Sequence, residues 1–156
     1  MMMSVMPLLS WDFYMDFFHR NLRQAEKQSE IEKINGLAKK FNWKNNIDEI
    51  INEHEYEAIV ITDNTQKIIW VNNGFTDMTG YSKNFAINKR PSFLQGEETS
   101  KKTKAEIREK IQSHKPFKQV IINYKKDKTP YKCEVKIIPL FGNGTTHYLA
   151  LEKEVS

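Results

Sequence analysis

Val71-Asn72-Asn73-Gly74-Phe75-Thr76-Asp77-Met78-Thr79-Gly80-Tyr81-Ser82 is the stretch from which the fold can be read. Asn72 is suited to capping a helix, because its side-chain oxygen can accept from a backbone N–H two or three residues on. Phe75 and Met78 follow at a three-residue step and anchor that short helix in a core. Gly80 ends it, since glycine takes the left-handed conformation without a steric penalty.

Outward from this helix the period is that of strands. Ala58 to Thr62 and Lys67 to Val71 are β-rich runs split by the turn Asp63-Asn64-Thr65-Gln66. Thr99 to Ser113 is helical, with Ala105, Ile107, Arg108 and Ile111 inside it. Lys118 to Tyr124, Tyr131 to Leu140 and Thr146 to Glu154 are three more strands, joined by hairpin-like turns at Lys126-Asp127-Lys128 and Gly142-Asn143-Gly144. The order is α+β. In the fourth strand Tyr131, Cys133, Val135 and Ile137 alternate with Lys132, Glu134 and Lys136, so one face is buried. In the fifth, Tyr148 and Ala150 oppose Leu149 and Leu151. Both faces are apolar and need two covers.

Residues 10 to about 54 read as helix. Ser10 is suited to an N-cap. Trp11, Tyr14, Phe18, Leu22 and Ala25 recur at three- and four-residue steps, with Phe13 and Phe17 widening the stripe. After a phase change near Lys27 to Glu30, Ile31, Ile34, Leu37, Ala38 and Phe41 form a second helix, which Gly36 weakens by up to ~1 kcal/mol relative to alanine. Asn45 or Asn46 caps a short helix bearing Ile47, Ile50 and Ile51. The aromatic stripe is either a dimer or partner surface or a face folded back on the chain's own sheet. A free helix exposing Trp11, Tyr14, Phe17 and Phe18 is not expected, since such a patch marks an interface.

Composition narrows the function. The 156 residues, 39% of them hydrophobic, suffice for one domain and an appendage. No apolar run approaches the ~18 residues that span a bilayer. Met1 to Leu9 is a poor signal peptide, lacking a basic region and followed by Asp12 and Asp16. The expected location is cytoplasmic. A single cysteine, Cys133, excludes an internal disulfide and a cysteine-cluster metal site. His19, His54, His114 and His147 have no ligand spacing, and no metal site is expected. The lysines at 101–104 and 125–128 read as solvated surface rather than a nucleic-acid footprint, because glutamates interleave with the first cluster and no stacking aromatics accompany either.

The stretch from Val71 to Ser82 resembles the signature of PAS sensor domains. Arg90-Pro91-Ser92-Phe93-Leu94-Gln95-Gly96, Glu106-Ile107-Arg108 and Asn123-Tyr124-Lys125-Lys126-Asp127 resemble the LOV type, the blue-light branch of that family. The resemblance covers about 57–155. It implies a five-stranded antiparallel sheet with helices on one face, as a PAS domain over 55–156. Residues 1–54 are then an N-terminal helical extension that serves dimerisation or sheet capping.

The resemblance also implies a ligand pocket at Gln95, Asn123, Arg108, Cys133 and Glu152, and here the sequence departs from LOV. Pro91 stands where LOV has its photoreactive cysteine, and Arg90 where an asparagine precedes it. A flavin-contacting asparagine falls at Cys133, and the last-strand glutamine at Glu152. Flavin's edge wants an amide that both donates and accepts, and each lost buried hydrogen bond costs ~1–3 kcal/mol. No haem-ligating histidine lies between Asn72 and Ser113.

Single residues keep two readings. Gln95 and Asn123 either hold a ligand or tie backbones together. Arg108 binds phosphate or pairs with a glutamate. Glu152 contacts a ligand or is a salt-bridged core carboxylate, since a lone buried charge is too costly; signalling through the last strand is a further role for it. Cys133 is a small core hydrophobe or a redox sensor. Phe75, Phe85, Phe93, Tyr124 and Tyr148 are rings enough to fill the cavity.

The expected function is a non-enzymatic PAS sensory and signalling module without a cofactor. It works as a homodimer and hands its signal to a downstream signalling protein, with no membrane or nucleic-acid partner. The alternative is a flavin (FMN) photoreceptor or redox sensor that forms no cysteinyl adduct. No nucleophile–base pair or phosphate loop points to an enzyme.

Overall fold

A computed structural model describes residues 8–156. Most of the apolar start, and with it the signal-peptide reading, lies outside the described residues. The elements are α1 (Leu8–Phe41), α2 (Ile47–Asn52), β1 (Ala58–Asp63), β2 (Ile68–Val71), α3 (Asn73–Thr79) and α4 (Lys83–Ala86). After a 3-10 turn at Pro91–Leu94 come α5 (Lys101–Gln112), β3 (Phe117–Tyr124), β4 (Pro130–Gly142) and β5 (Gly144–Val155). The strands form one five-stranded antiparallel sheet, as expected, and their order is β2-β1-β5-β4-β3. The last strand in sequence is therefore central, and Glu152 pairs with Ala58 on one side and Val135 on the other.

Asn72 does more than cap. Its Oδ1 accepts from Phe75 N at 3.0 Å and also from Ile59 N at 2.8 Å, so α3 is stitched to β1. Gly80 ends α3 at φ +82°, and its N–H donates to the Thr76 carbonyl.

The sheet has two covers. On one face Val60, Val71, Phe75, Leu94, Ile121 and Val135 form a core beneath α3 to α5. On the other, Ile31, Ile34 and Ala38 of α1 and Ile47 and Ile51 of α2 pack on Ile59, Ile61, Leu140, Leu149 and Leu151. The two apolar faces of β5 are thus both covered from within one chain.

α1 corrects one expectation. It runs unbroken for 34 residues, through Lys27 to Glu30, where a second helix was expected to begin. The phase change is real but takes another form. At about 100° per residue, Trp11, Tyr14, Phe18, Leu22 and Ala25 share one face of the helix. Ile31, Ile34, Ala38 and Phe41 occupy the opposite face. The second half lies on the sheet. The first half leaves the body, with Trp11, Phe13, Tyr14, Phe17, Phe18 and Leu22 between 46% and 69% exposed.

Glu30 sits at the changeover. Its Oε2 accepts from Tyr56 Oη and from Asn72 Nδ2, both at 3.1 Å, and its Oε1 lies 3.6 Å from Arg23 Nη1. Arg23 also donates to the Tyr56 carbonyl at 2.8 Å. Burial, and then the Glu30 charge, push the Tyr56 phenol far above its usual range.

Gly36 is exposed on α1, and nothing lies within 4 Å of an added Cβ. Gly36→Ala should therefore stabilise the protein by about 0.5–1 kcal/mol, read from urea denaturation. A loss of stability would mean that α1 is not helical through this position.

Candidate functional site

Between the sheet, the Arg90–Gln95 segment and α5 lies a chamber of about 170 Å³. Its wall is positioned from the Phe93-Leu94-Gln95-Gly96 run. Gly96 closes that run because the Tyr124 ring lies 2.4 Å from where a Cβ would stand. Thr99 Oγ1 accepts from Gly96 N at 3.0 Å and donates to the Ile122 carbonyl at 2.7 Å, and Tyr124 Oη accepts from Glu98 N at 2.8 Å. These bonds strap the segment to β3.

Three of the five expected pocket residues line this chamber: Gln95, Asn123 and Glu152. Asn123 is 5% exposed. Among the described residues neither amide makes a side-chain hydrogen bond, so the backbone-tying role is not what they perform. Asn123 faces Tyr131 across the β3–β4 register, but the pair does not reach bonding geometry, and Tyr131 Oη is buried without a partner.

Arg108 is not in the chamber. It is exposed and lines an adjoining, more open groove of about 430 Å³ with Arg90, Lys104 and Gln95. Its expected glutamate partner is absent among the described residues, where the ion pairs are those of Arg23, Lys118, Lys125 and Lys153. Chamber and groove share Gln66, Arg90, Ser92, Gln95, Ile107 and Ile111, so one opens beside the other.

Glu152 overturns the salt-bridge expectation. It is 5% exposed and forms no ion pair among the described residues. Burial pushes its carboxyl up to about 7, and the Cys133 thiol, with Sγ 3.9 Å from Oε2, acts weakly the other way. Cys133 lies in the core beside Glu152. Burial first, and then the Glu152 charge, drive its thiol far above the ordinary range, which leaves little thiolate for redox chemistry.

The rings expected to fill the cavity are mostly elsewhere. Phe85 and Phe93 pack around Tyr81, Phe75 is in the core, and Tyr124 holds Gly96. Only Tyr148 lines the chamber, with its Oη 3.4 Å from the Ile111 carbonyl and from His114 Nδ1. Pro91, at the LOV cysteine position, opens the 3-10 turn and lines the chamber too. The sequence reading missed the Arg23–Glu30–Tyr56–Asn72 joint, because charged residues on a helix surface give no sign of a distant partner.

A family model described as a PAS domain matches residues 57–156, and the chain belongs to this family. The chain is also similar to blue-light photoreceptors of the LOV type. The blue-light photoreceptor of Listeria innocua is 36% identical over 103 residues, covering 64% of this chain and 41% of that protein. Blue-light-activated histidine kinase 1 of Erythrobacter litoralis is 33% identical over 95 residues, 58% of this chain and 26% of that protein. The chain thus spans about two fifths or less of the length of these relatives. Among solved structures, the light state of the Aureochrome1 LOV domain superposes with a TM-score of 0.63 at 25% identity, over 69% of this chain and 88% of that one. A LOV domain studied with a flavin analogue has a TM-score of 0.65 at 24% identity, over 72% of this chain and 87% of that one, a likeness of fold alone. The chain is a PAS sensory module of LOV kin. Among its described residues no helix is long and apolar enough to cross a membrane.

Proposed function

We propose that this module is a non-enzymatic sensor that works as a homodimer built on the first half of α1 and passes its state to a downstream signalling protein. One observation carries the reading: the aromatic stripe of α1 lies half a turn away from the stripe that seats the helix on the sheet. It cannot fold onto its own body without undoing that packing. Six large apolar side chains are exposed on this segment, four of them (Trp11, Tyr14, Phe18 and Leu22) on the stripe itself; they need a cover, and a second copy supplies an identical stripe. The test is mass by light scattering during gel filtration, across a concentration series. A dimer that dissociates only on dilution is expected; a monomer at every concentration overturns the reading.

The LOV kinship raises flavin as the alternative, and the site does not fit it. The chamber's 170 Å³ alone falls below the ~300–1,000 Å³ of ligand pockets, and only with the adjoining groove of about 430 Å³ is that range reached. The edge position is a carboxyl that titrates at about 7 and, once ionised above that, only accepts, and Pro91 has no thiol to add to a ring. Protein expressed with added flavin and purified in the dark should show no blue absorption band after gel filtration. A band that co-elutes with the protein would restore the photoreceptor or redox reading.

A further inference from the structure

Chamber and groove carry opposite charge on the walls they do not share. Glu152 lines the chamber and not the groove; Lys104 and Arg108 line the groove and not the chamber; Arg90 stands in the shared wall. None of these four forms an ion pair among the described residues. Glu152 is the only charged residue among the described ones to be buried so fully. A buried carboxylate without a counter-charge is costly, and the one cation of the lining, Arg90, forms no ion pair with it; the chamber also offers Val60, Ile121, Val135 and Ala150, with the unbonded amide of Asn123. The chamber is close in size to a cavity of about 150 Å³ known to hold benzene.

We propose that the two cavities form one site for a compact amino-carboxylate, a zwitterion with a protonated amine at one end, an apolar body the size of a benzene ring and a carboxylate at the other. The amine donates to Glu152 and to the amide oxygen of Asn123, the body fills the apolar chamber, and the carboxylate meets Arg90 and Arg108 in the groove. Charge-assisted bonds at both ends set the orientation. A simple anion is repelled by Glu152 at the inner end. A simple amine must pass three cations at the mouth with nothing to offset them. A neutral hydrocarbon leaves the carboxylate unpaired. The inference rests on the sensory reading above and names the class of molecule sensed.

The probe is 4-(aminomethyl)benzoate, with benzylamine and benzoate as its two halves, followed by calorimetry and amide chemical shifts on the full chain at pH 8. The zwitterion should bind, benzylamine more weakly, and benzoate not at all. Glu152→Gln should weaken the zwitterion by roughly 10- to 100-fold, the worth of a bond to a charged group, and this variant is expected to fold. Arg108→Gln, at an exposed position, should remove the advantage of the zwitterion over benzylamine. No binding of any probe at millimolar concentration, benzoate binding best, or affinity unmoved by Glu152→Gln would each overturn the proposal. The mass of the same samples keeps the two readings apart: a monomer that binds the zwitterion drops the dimer alone, and a dimer that binds no probe drops this site alone.

Discussion

At pH 8, Glu152→Gln is expected to raise the unfolding midpoint by roughly 6–12 °C, at about 2–4 °C per kcal/mol for a chain of this size. The cause is a carboxyl that titrates at about 7 in the folded protein against 4.5 when exposed. Between those values the folded chain keeps a proton that the unfolded chain releases, so stability falls as pH rises through this window. Above about pH 7 the full cost is present, about 3 kcal/mol as an upper figure; below about 4.5 it vanishes. The groups around Glu152 do not cancel it. Cys133 stays a thiol, Glu57 and Glu154 add negative charge around Cys133, and Arg90 lines the chamber without reaching the carboxylate. Glutamine keeps the shape and removes the charge. Midpoints of both proteins at pH 5, 6, 7 and 8 isolate this one group, since every other titration is common to the pair. Curves that stay parallel across the series would show that Glu152 is paired or hydrated in the folded state.

The second large effect is expected on α1. Phe18→Glu should convert the dimer to a monomer, weakening self-association by about 100-fold or more, as loss of a central aromatic anchor does. Phe18 is exposed in the single chain, so the change costs the fold little. In a symmetric pair it also brings two like charges together on one stripe. Phe18→Leu should keep the dimer. Sedimentation equilibrium of the three proteins, with helix content by circular dichroism, separates dissociation from unfolding of the helix. Unchanged mass for the glutamate variant would place the dimer contact elsewhere.

The parts of this molecule legible in sequence are those fixed by neighbours along the chain. Asn72 and Gly80 announce their helix because cap and left-handed exit are local geometry. Leu149 and Leu151 opposite Tyr148 and Ala150 announce two covers because strand alternation is local too. Glu152 was legible as an inward carboxylate, but its lack of a counter-ion was not. Whether a cation reaches it depends on how α5 lies over the sheet, and α5 carries Arg108 to the neighbouring groove rather than the chamber. The same limit hid the continuity of α1. A change of apolar face looks in sequence like a break, and only the sheet under Ile31 and Ile34 and the open side of Trp11 and Phe18 show that one helix serves two surfaces.

Glu30 gives that double service a thermodynamic form. One carboxylate oxygen holds Asn72, which caps α3 and binds β1, and Tyr56, which leads into β1. Seating α1 and fixing the start of the PAS core are therefore a single linked equilibrium. By reciprocity, whatever loosens the joint from the core side loosens the helix by the same free energy, and whatever clamps the helix stiffens the core equally. The extension is geared to the domain, with Glu30 as the polar tooth beside the packed face of Ile31, Ile34 and Ala38.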